Sequence, residues 1–176
     1  VKEILRAIGI KIVEKEGWEA DDILGTLSHA AERDGFYAVV ATGDRDSFQL
    51  ITDKVSVNLA GNKEDTLYTP AEIKEKYGVE PAQMLEVKAL MGDSSDNIPG
   101  VKGIGEKTAL DLIQKYSDIK SIYEKIHELP ISEKLRQKLV EGKESCFLSR
   151  ELGKIALDAP VETDMSVYVP AERDEV

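Results

Sequence analysis

Three clusters of acidic residues are the part of this sequence best suited to chemistry. They lie at residues 19–22, 44–46 and 93–96, and no paired Cys or HExxH pattern accompanies them. Carboxylate oxygens are the ligands that hard cations such as Mg²⁺ and Mn²⁺ prefer, and two such ions about 4 Å apart catalyse phosphate-ester hydrolysis in nucleases and phosphatases. The clusters therefore predict metal-dependent phosphate chemistry. Their carboxylates belong to Glu19, Asp21, Asp22, Asp44, Asp46, Asp93 and Asp96.

Each cluster alone also has a structural explanation. Acidic residues in the first turn of a helix stabilise it by ~0.3–1 kcal/mol, which would explain residues 19–22 equally well. A helix cap by Asp46 would explain one acid of the second cluster, and the third would suit a polar turn. Seven carboxylates in one cleft would disfavour one another's ionisation. A site built from all three clusters is therefore expected only with cations bound.

The apolar spacing predicts an α/β arrangement that would bring the clusters together. Helices are predicted for residues 1–8 and 20–31. The apolar run 36–41 is typical of a buried parallel strand, and 55–59 has the pattern of the next strand. Open α/β sheets bind ligands beyond the carboxyl ends of their strands, where residues 44–46 fall. The other elements predicted here are a strand at 10–13, a helix at 46–51 and a short strand ending at Tyr68.

The second half of the chain is predicted to be mostly helical. Thr69 followed by a proline is a typical helix start, a capping residue before the first helical position. We therefore divide the chain into an α/β core at 1–80, a helical region at 81–150, and a return strand with an acidic tail at 151–176. Within that tail, residues 161–176 are expected to be partly strand and partly loose. The predicted helices cover 70–77, 81–91, 106–116, 118–127 and 132–145.

A glycine-rich segment at residues 100–105 follows the third cluster and leads into a predicted helix. Backbone amides at such a helix start can bind phosphate, and Lys102 and Lys107 lie beside them. The spacing matches neither a dinucleotide fingerprint nor a P-loop. A simple connection between two helices would need the same glycines. The ligand that the pattern favours is a nucleic-acid backbone, bound without reading of the bases.

The composition is that of a folded globular chain. Of 176 residues, 41% are hydrophobic and 32% are charged, and the net charge is −11. Such acidity counts against a nucleic-acid partner unless the carboxylates hold metal ions. The longest apolar run, 36–41, is far shorter than the ~20 residues of a bilayer-spanning helix, so no membrane partner is expected. A single cysteine, Cys146, forms no internal disulfide, which favours a cytoplasmic location.

The acidic motifs also resemble a known family. Residues 19–22 (EADD), 42–46 (TGDRD) and the eighteen-residue stretch 92–109 (GDSSDNIPGVKGIGEKTA) are similar to the 5′-nuclease, or flap endonuclease, domain of bacterial DNA polymerase I. The similarity runs in order from about Gly9 to Lys154. The resemblance implies a PIN-like (Rossmann-like) parallel sheet core followed by a helical region with a helix-three-turn-helix DNA-binding element. It also implies a metal-dependent 5′-3′ exonuclease and flap endonuclease that acts on DNA in primer removal and repair.

The resemblance further implies cofactors and residue roles. The cofactors are two divalent metal ions, magnesium or manganese, and a potassium ion. Backbone carbonyls would hold the potassium ion in the glycine-rich hairpin, which is the glycine-rich segment with the start of the following helix, residues 100–108. The catalytic residues are Glu19 and Asp21 at one metal ion, and Asp44, Asp46 and Asp96 at the other. Asp22 and Asp93 match the bacterial pattern as further metal ligands. The residues implied to grip the DNA backbone are Lys102, Gly103, Ile104, Gly105, Lys107 and Thr108.

The family pattern also extends beyond this sequence. A strand with further metal-binding Asp residues and a basic helical arch precede the region that the chain resembles, and a polymerase domain can share the parent chain. We therefore expect a monomeric fragment with weak or no activity alone, which binds branched or flapped duplex DNA without sequence specificity. Two alternatives stay open. One is a non-catalytic DNA-binding module, and the other is a small-molecule phosphotransferase that uses Asp44 and Asp46 as a DxD pair.

Overall fold

Helices make up most of the regular structure, and a small sheet lies in the amino-terminal half. A computed structural model of the chain describes residues 1–169. The strands are β1 (Ala38–Thr42), β2 (Val55–Leu59) and β3 (Thr66–Tyr68). The helices are α1 (Lys2–Ala7), α2 (Ala20–Arg33), α3 (Pro70–Tyr77), α4 (Met84–Met91), α5 (Glu106–Tyr116), α6 (Ile119–Glu124), α7 (Glu133–Glu141) and α8 (Lys143–Leu152). Short 3₁₀ helices cover Arg45–Leu50, Pro81–Gln83 and Met165–Tyr168.

The sheet has the order β1-β2-β3. β1 and β2 run parallel, with Val40 opposite Val57 and both side chains buried, and β3 pairs antiparallel to β2. The connection between the parallel strands contains a 3₁₀ helix at Arg45–Leu50, where the sequence predicts an ordinary helix. Because β1 ends at Thr42, this connection leaves the sheet at its carboxyl edge. The predicted α/β core followed by a helical region is confirmed.

One hydrophobic core joins the sheet to the helical region. Phe48 is fully buried, and its ring centroid lies 4.6 Å from that of Tyr68 and 6.1 Å from that of Tyr77. From α5, the buried side chains of Leu112 and Ile113 join the same core. Each large apolar side chain that is fully buried contributes roughly 1.5–3 kcal/mol, so the core holds the two halves together. No helix of the described chain combines the length and the apolar character that crossing a bilayer requires.

α4 lies in the middle of the helical region and packs against α5 and α8. Its residues 85–90 are all buried, including the charged Glu86 and Lys88. The Glu86 carboxylate accepts hydrogen bonds from the Arg150 guanidinium at 2.6 Å and from the Ile119 amide at 3.2 Å. A buried charge needs such partners, and the partners of Lys88 are described with the candidate site.

The single helix predicted for residues 132–145 is wrong, because two helices occupy this part of the chain. α7 ends at Glu141, and α8 begins at Lys143 and continues to Leu152. The break falls at Gly142, where a Cβ atom would lie 2.7 Å from Cγ1 of Val101. The glycine therefore lets the glycine-rich segment pack into the corner between the two helices. A neighbour so distant in sequence leaves no trace in the helical periodicity.

The strand predicted for residues 10–13 is also wrong, since that segment has no regular secondary structure. A strand needs a neighbour for its amides and carbonyls. Within residues 1–169 the sheet holds only β1, β2 and β3, and none of them pairs with this segment. The alternation of apolar residues here therefore does not correspond to a strand.

The return strand predicted for 151–176 does not occur in its described part, which ends at residue 169. The chain after α8 bonds to side chains of α2 instead. The Ala156 amide donates to the Asp22 carboxylate at 2.9 Å, and the Ala159 amide donates to the Thr26 hydroxyl at 2.9 Å. These bonds satisfy backbone groups that a strand would have paired. The rest of the predicted strand and tail, at 170–176, lies outside the described residues.

Candidate metal centre and nucleic-acid interface

An acidic cleft opens beyond the carboxyl end of β1. It has a volume of about 360 Å³ and is lined by residues from the start of α2, the loop after β1 and the loop after α4. Lys88 and Lys154 also line it. Six of the seven acids singled out from the sequence lie here, and the seventh, Asp93, pairs with Lys88 from a neighbouring cavity. The six are Glu19, Asp21, Asp22, Asp44, Asp46 and Asp96.

Local hydrogen bonds position the two acids after β1. The amide of Asp44 donates to the Thr42 hydroxyl at 3.0 Å, and the carboxylate of Asp44 accepts from the Asp46 amide at 2.9 Å. Asp44 is therefore the cap of the 3₁₀ helix Arg45–Leu50, the role that the sequence suggested for Asp46. The Asp46 carboxylate instead pairs with the Lys88 ammonium.

A tight turn positions the third cluster. The backbone groups of Asp93 and Ile98 pair in both directions at 2.8 Å. A hydrogen bond from the Ser95 hydroxyl, helped by the Lys88 ammonium, lowers the pKa of Asp93 to about 2. The turn presents Asp96 at the surface, with a carboxylate oxygen 2.9 Å from the Lys88 nitrogen.

The Lys88 ammonium lies among three carboxylates. Its Nζ is 2.9 Å from Asp96 and 3.2 Å from Asp93, and it also bonds to Asp46. Burial acts to lower the pKa of Lys88, but hydrogen bonds to Asp46 and Asp96 outweigh burial and raise this pKa above its ordinary value. Oxygen atoms of the three Asp side chains lie within 4.8 Å of one another. This group could hold a metal ion.

Asp21 is the acid of the first cluster best placed to receive a cation. Burial raises its pKa, and the carboxylates of Asp44 and Glu19 raise it further. Asp22, by contrast, uses both carboxylate oxygens within the fold. They accept from the amides of Glu19 at 3.3 Å and Ala156 at 2.9 Å. Helix capping therefore explains Asp22 but leaves Asp21 unexplained.

The chemistry of the cleft fits divalent cations that prefer oxygen ligands. Among the described residues, those that line it include six carboxylates and no Cys or His. Neighbouring carboxylates contribute to the raised pKa of Asp21, and burial is the main cause of the raised pKa of Asp46. A bound cation would favour the ionised form of both carboxylates. Two lysines among the lining residues compensate only part of the charge of six carboxylates.

Neither lysine of the cleft was predicted from the sequence. Lys88 could have been found, because it is the one basic residue in the otherwise largely apolar stretch 84–91. A lysine on a buried helix needs an acidic partner, and three acidic clusters were available. Lys154 gave no comparable signal, because it is a single lysine in an irregular segment after α8.

We expect Lys88→Met to destabilise the metal-free chain and to increase its stabilisation by Mg²⁺. The variant keeps the side-chain length but leaves three carboxylates without their shared cation. Removing one partner of a buried pair costs about 3–5 kcal/mol, and the partial exposure of these acids reduces the expected loss to about 1–3 kcal/mol. Thermal unfolding in EDTA and in Mg²⁺ measures both effects. Lys120→Met, at an exposed site on α6, is the control. An unchanged Tm of Lys88→Met in EDTA would contradict this account.

The glycine-rich hairpin lies directly after the third cluster. Gly103 has a left-handed backbone with φ +78°, and the Ile104 amide donates to the Val101 carbonyl at 3.0 Å. The Ile104 side chain is buried, so this residue can offer a ligand only its backbone. The other residues predicted to grip DNA are exposed or half-buried, namely Lys102, Gly103, Gly105, Lys107 and Thr108.

Two family profiles together match nearly the whole chain. Residues 1–78 match the family described as "5'-3' exonuclease, N-terminal resolvase-like domain". Residues 79–175 match the family described as "5'-3' exonuclease, C-terminal SAM fold".

Similar curated proteins are longer than this chain. DNA polymerase I of Bacillus subtilis (strain 168) is 46% identical over 168 residues, which cover 94% of this chain and 19% of that protein. The 5'-3' exonuclease of Buchnera aphidicola subsp. Schizaphis graminum is 46% identical over 165 residues, which cover 90% of this chain and 56% of that protein. The chain thus spans about a fifth of the first relative and just over half of the second.

Solved structures share the fold. Phage T5 5'-exonuclease with bound divalent metal ions (zinc) has a TM-score of 0.70 at 29% identity, covering 79% of this chain and 51% of that chain. A phage T5 flap endonuclease in complex with DNA and metal ions has a TM-score of 0.66 at 29% identity, covering 81% and 51%. The catalytic core of Rad2 with DNA substrate reaches 0.64 at 22% identity, covering 97% and 57%, which shows the fold alone. Because both profiles and these relatives agree, the chain belongs to the 5′-3′ exonuclease family.

Proposed function

We propose that the protein is a divalent-metal-dependent 5′-3′ exonuclease and flap endonuclease that acts on DNA in primer removal and repair. The observation that carries this proposal is the convergence of three acidic clusters on one cleft, with a glycine-rich hairpin directly after the third of them in the chain. Family membership supports phosphodiester hydrolysis, and a phage T5 relative was crystallised with DNA and metal ions. For this chain by itself we expect weak or no activity.

Two divalent ions, magnesium or manganese, are the proposed cofactors. Glu19 and Asp21 would hold one of them, and Asp44, Asp46 and Asp96 would hold the other. Bound in this cleft, such ions supply Lewis acidity that polarises the scissile phosphodiester and stabilises the leaving oxygen. The all-oxygen donor set and the raised pKa values of Asp21 and Asp46 support this assignment.

Three further side chains are proposed to act by positioning the ligands. Asp22 fixes the start of α2 to the segment after α8, and Asp93 closes the turn that presents Asp96. Either carboxylate could complete a metal shell, as the family pattern implies. Lys88 holds acids of the second and third clusters together before a metal ion arrives.

The hairpin is the proposed contact to the duplex backbone. Lys102 and Lys107 would neutralise phosphates without reading bases, and the exposed amides of Gly103 and Gly105 would donate to phosphate oxygens. A potassium ion at the hairpin carbonyls is a further proposal. The carbonyls of Gly100 and Gly103 already accept hydrogen bonds from side chains, so such an ion would use other carbonyls or share these two.

The double variant Lys102→Ala/Lys107→Ala is expected to bind 5′-flap duplex about tenfold more weakly and to lower the log–log salt slope by about two, one for each lost phosphate contact. Fluorescence anisotropy in EDTA at several salt concentrations measures both quantities. Lys120→Ala/Lys125→Ala removes the same charge from exposed positions elsewhere and serves as the control. Equal losses in the two double variants would argue against a specific role for the hairpin.

A comparison of substrates tests the proposed function against the alternatives. The complete protein is incubated in Mg²⁺ with a 5′-flap duplex, a blunt duplex and a soluble phosphate ester. We expect rapid cutting near the base of the flap and no turnover of the ester. Turnover of the ester without DNA cleavage would support a phosphotransferase with an Asp44/Asp46 pair. DNA binding with no cleavage of any substrate would support a non-catalytic module.

We also propose a location, an oligomeric state and a domain organisation for the protein. DNA as substrate and the single Cys146 favour a cytoplasmic location, and a monomer is the proposed oligomeric state. Relatives named DNA polymerase I support a polymerase domain in the same parent chain. We propose the division into a nuclease core at 1–80, a helical DNA-binding region at 81–150 and a terminal segment at 151–176.

A further inference from the structure

Side chains of α7 and α8 hold the glycine-rich hairpin in place. The Lys138 ammonium donates to the Gly103 carbonyl at 2.8 Å. The Ser145 hydroxyl donates to the Gly100 carbonyl at 2.7 Å, and the Gly100 amide donates to the Ser149 hydroxyl at 2.9 Å. These partners lie 35, 45 and 49 residues further along the chain than the glycines they contact. The shape of the turn therefore depends on tertiary contacts as well as on its own glycines.

Lys138 is the charged member of this set, and no acid neutralises it within the described chain. No carboxylate of residues 1–169 lies within 4.0 Å of its ammonium nitrogen. The nearby Glu141 carboxylate accepts a hydrogen bond from the Gln137 side chain at 2.9 Å. An ammonium group has three hydrogens, and the Gly103 carbonyl takes one. Two hydrogens and the full positive charge thus remain for a ligand.

Lys138 and Lys102 border the same cavity, which has a volume of about 590 Å³. Gly103, Ser145 and Glu141 are also among its lining residues. Two ammonium groups against one carboxylate give this cavity a positive balance in a chain whose net charge is −11. The ligand that suits two ammonium groups beside an exposed backbone glycine is the phosphodiester of a nucleic-acid backbone.

We propose that Lys138 belongs to the DNA-backbone site. Its ammonium fixes the Gly103 carbonyl in the turn and offers its remaining hydrogens to a phosphate that Lys102 also contacts. The inference rests on the proposed DNA-binding function of the hairpin. It adds to the hairpin a basic residue that lies outside the glycine-rich segment and that the motif itself does not contain.

DNA affinity in EDTA tests the phosphate contact, using the full 176-residue chain and a 5′-flap duplex. Lys138→Met is expected to weaken binding about tenfold, as loss of a charge-assisted hydrogen bond should. Lys138→Arg keeps the charge and donors and should bind within about threefold of the wild type. Lys120→Met, which removes one exposed charge elsewhere, should stay within about twofold. Wild-type affinity of Lys138→Met, or an equal loss in Lys120→Met, would overturn the proposal.

Amide hydrogen exchange without DNA tests the contact with Gly103 separately. The Ile104 amide is bonded to the Val101 carbonyl, so its exchange rate reports order in the turn. Lys138→Met should speed this exchange about tenfold while the amide of buried Ile113 in α5 keeps its rate. Unchanged exchange at Ile104 would overturn the positioning role. If the wild-type chain binds no flap DNA, the proposed function and the phosphate contact are both contradicted. The exchange rate of the Ile104 amide still tests the contact between Lys138 and Gly103.

Discussion

Asp96→Ala is expected to lower the rate of 5′-flap cleavage by at least about 10²-fold, with DNA affinity kept within about threefold. Removing a group that only orients a metal ligand already costs about 10–100-fold in metal affinity or activity, so removing a ligand should cost more. The Asp96 side chain is 48% exposed, and its side-chain contact is with Lys88, so the fold should tolerate the change. Asp44→Ala should lower the cleavage rate by a similar factor, with an added stability loss of about 1 kcal/mol because Asp44 caps the 3₁₀ helix.

Single-turnover cleavage by the complete protein in Mg²⁺, together with anisotropy in EDTA, separates catalysis from binding. Asp53→Ala removes an exposed acid outside the cleft and should leave both quantities unchanged. Retained cutting by Asp96→Ala would remove this acid from the metal centre. Loss of binding in step with loss of cutting would show that the carboxylates support the DNA-binding surface and not the chemical step.

Gly100→Ala is expected to cost about 3 kcal/mol of unfolding free energy, the largest stability effect we predict. Gly100 has φ +60°, and a Cβ atom there would lie 2.6 Å from the Cα atom of Gly92 and 2.6 Å from the carbonyl carbon of Met91. Both neighbours are backbone atoms, which cannot rotate away. The hairpin would have to move away from α4, which breaks the bond from the Val101 amide to the Leu90 carbonyl at 2.8 Å.

Urea unfolding of Gly100→Ala and Gly43→Ala measures this cost against a matched control. A Cβ atom on Gly43 would meet no atom within 4 Å, so Gly43→Ala should change the free energy of unfolding by less than about 0.5 kcal/mol. A midpoint for Gly100→Ala equal to that of the wild type would mean that the hairpin and α4 are not packed as closely as described.

The acidic cleft could be predicted because a general rule of α/β sheets placed its parts. The rule puts ligands at the carboxyl ends of strands, and Asp44 follows β1 directly. For Lys88, only the need for an acidic partner could be predicted, because the residue lies on a buried helix. Which acids would supply that partner depended on packing, because Asp46 lies 42 residues away in sequence.

The contacts that hold the hairpin in place could not be predicted from its local motif. Its glycines and Lys102 and Lys107 are recognisable in the sequence, but Lys138 reaches Gly103 from 35 residues away. The same holds for the corner between α7 and α8, where Val101 packs against Gly142. Periodicity describes one element at a time, whereas these contacts arise only when elements pack together.

The two incorrect strand predictions also result from tertiary contacts that the sequence pattern does not show. Residues 10–13 and the segment after α8 contain apolar residues with suitable alternation, but strand formation depends on a free neighbouring edge. After α8, side chains of Asp22 and Thr26 satisfy backbone amides that a neighbouring strand would otherwise bind. A hydrophobic pattern does not show that a side chain will accept the hydrogen bonds that a neighbouring strand would otherwise accept.

The most direct test of the central claim follows binding and cleavage of a 5′-flap duplex by the complete protein in the same tubes, with Mg²⁺, with Mn²⁺ and with EDTA. We predict bound DNA under all three conditions, and 5′ product only where a divalent ion is present and Asp96 is intact. Bound DNA that stays intact in every tube would contradict a catalytic metal centre and support a non-catalytic DNA-binding module. Product in EDTA, or no binding in any tube, would contradict the account of a metal-holding cleft beside a DNA-gripping hairpin.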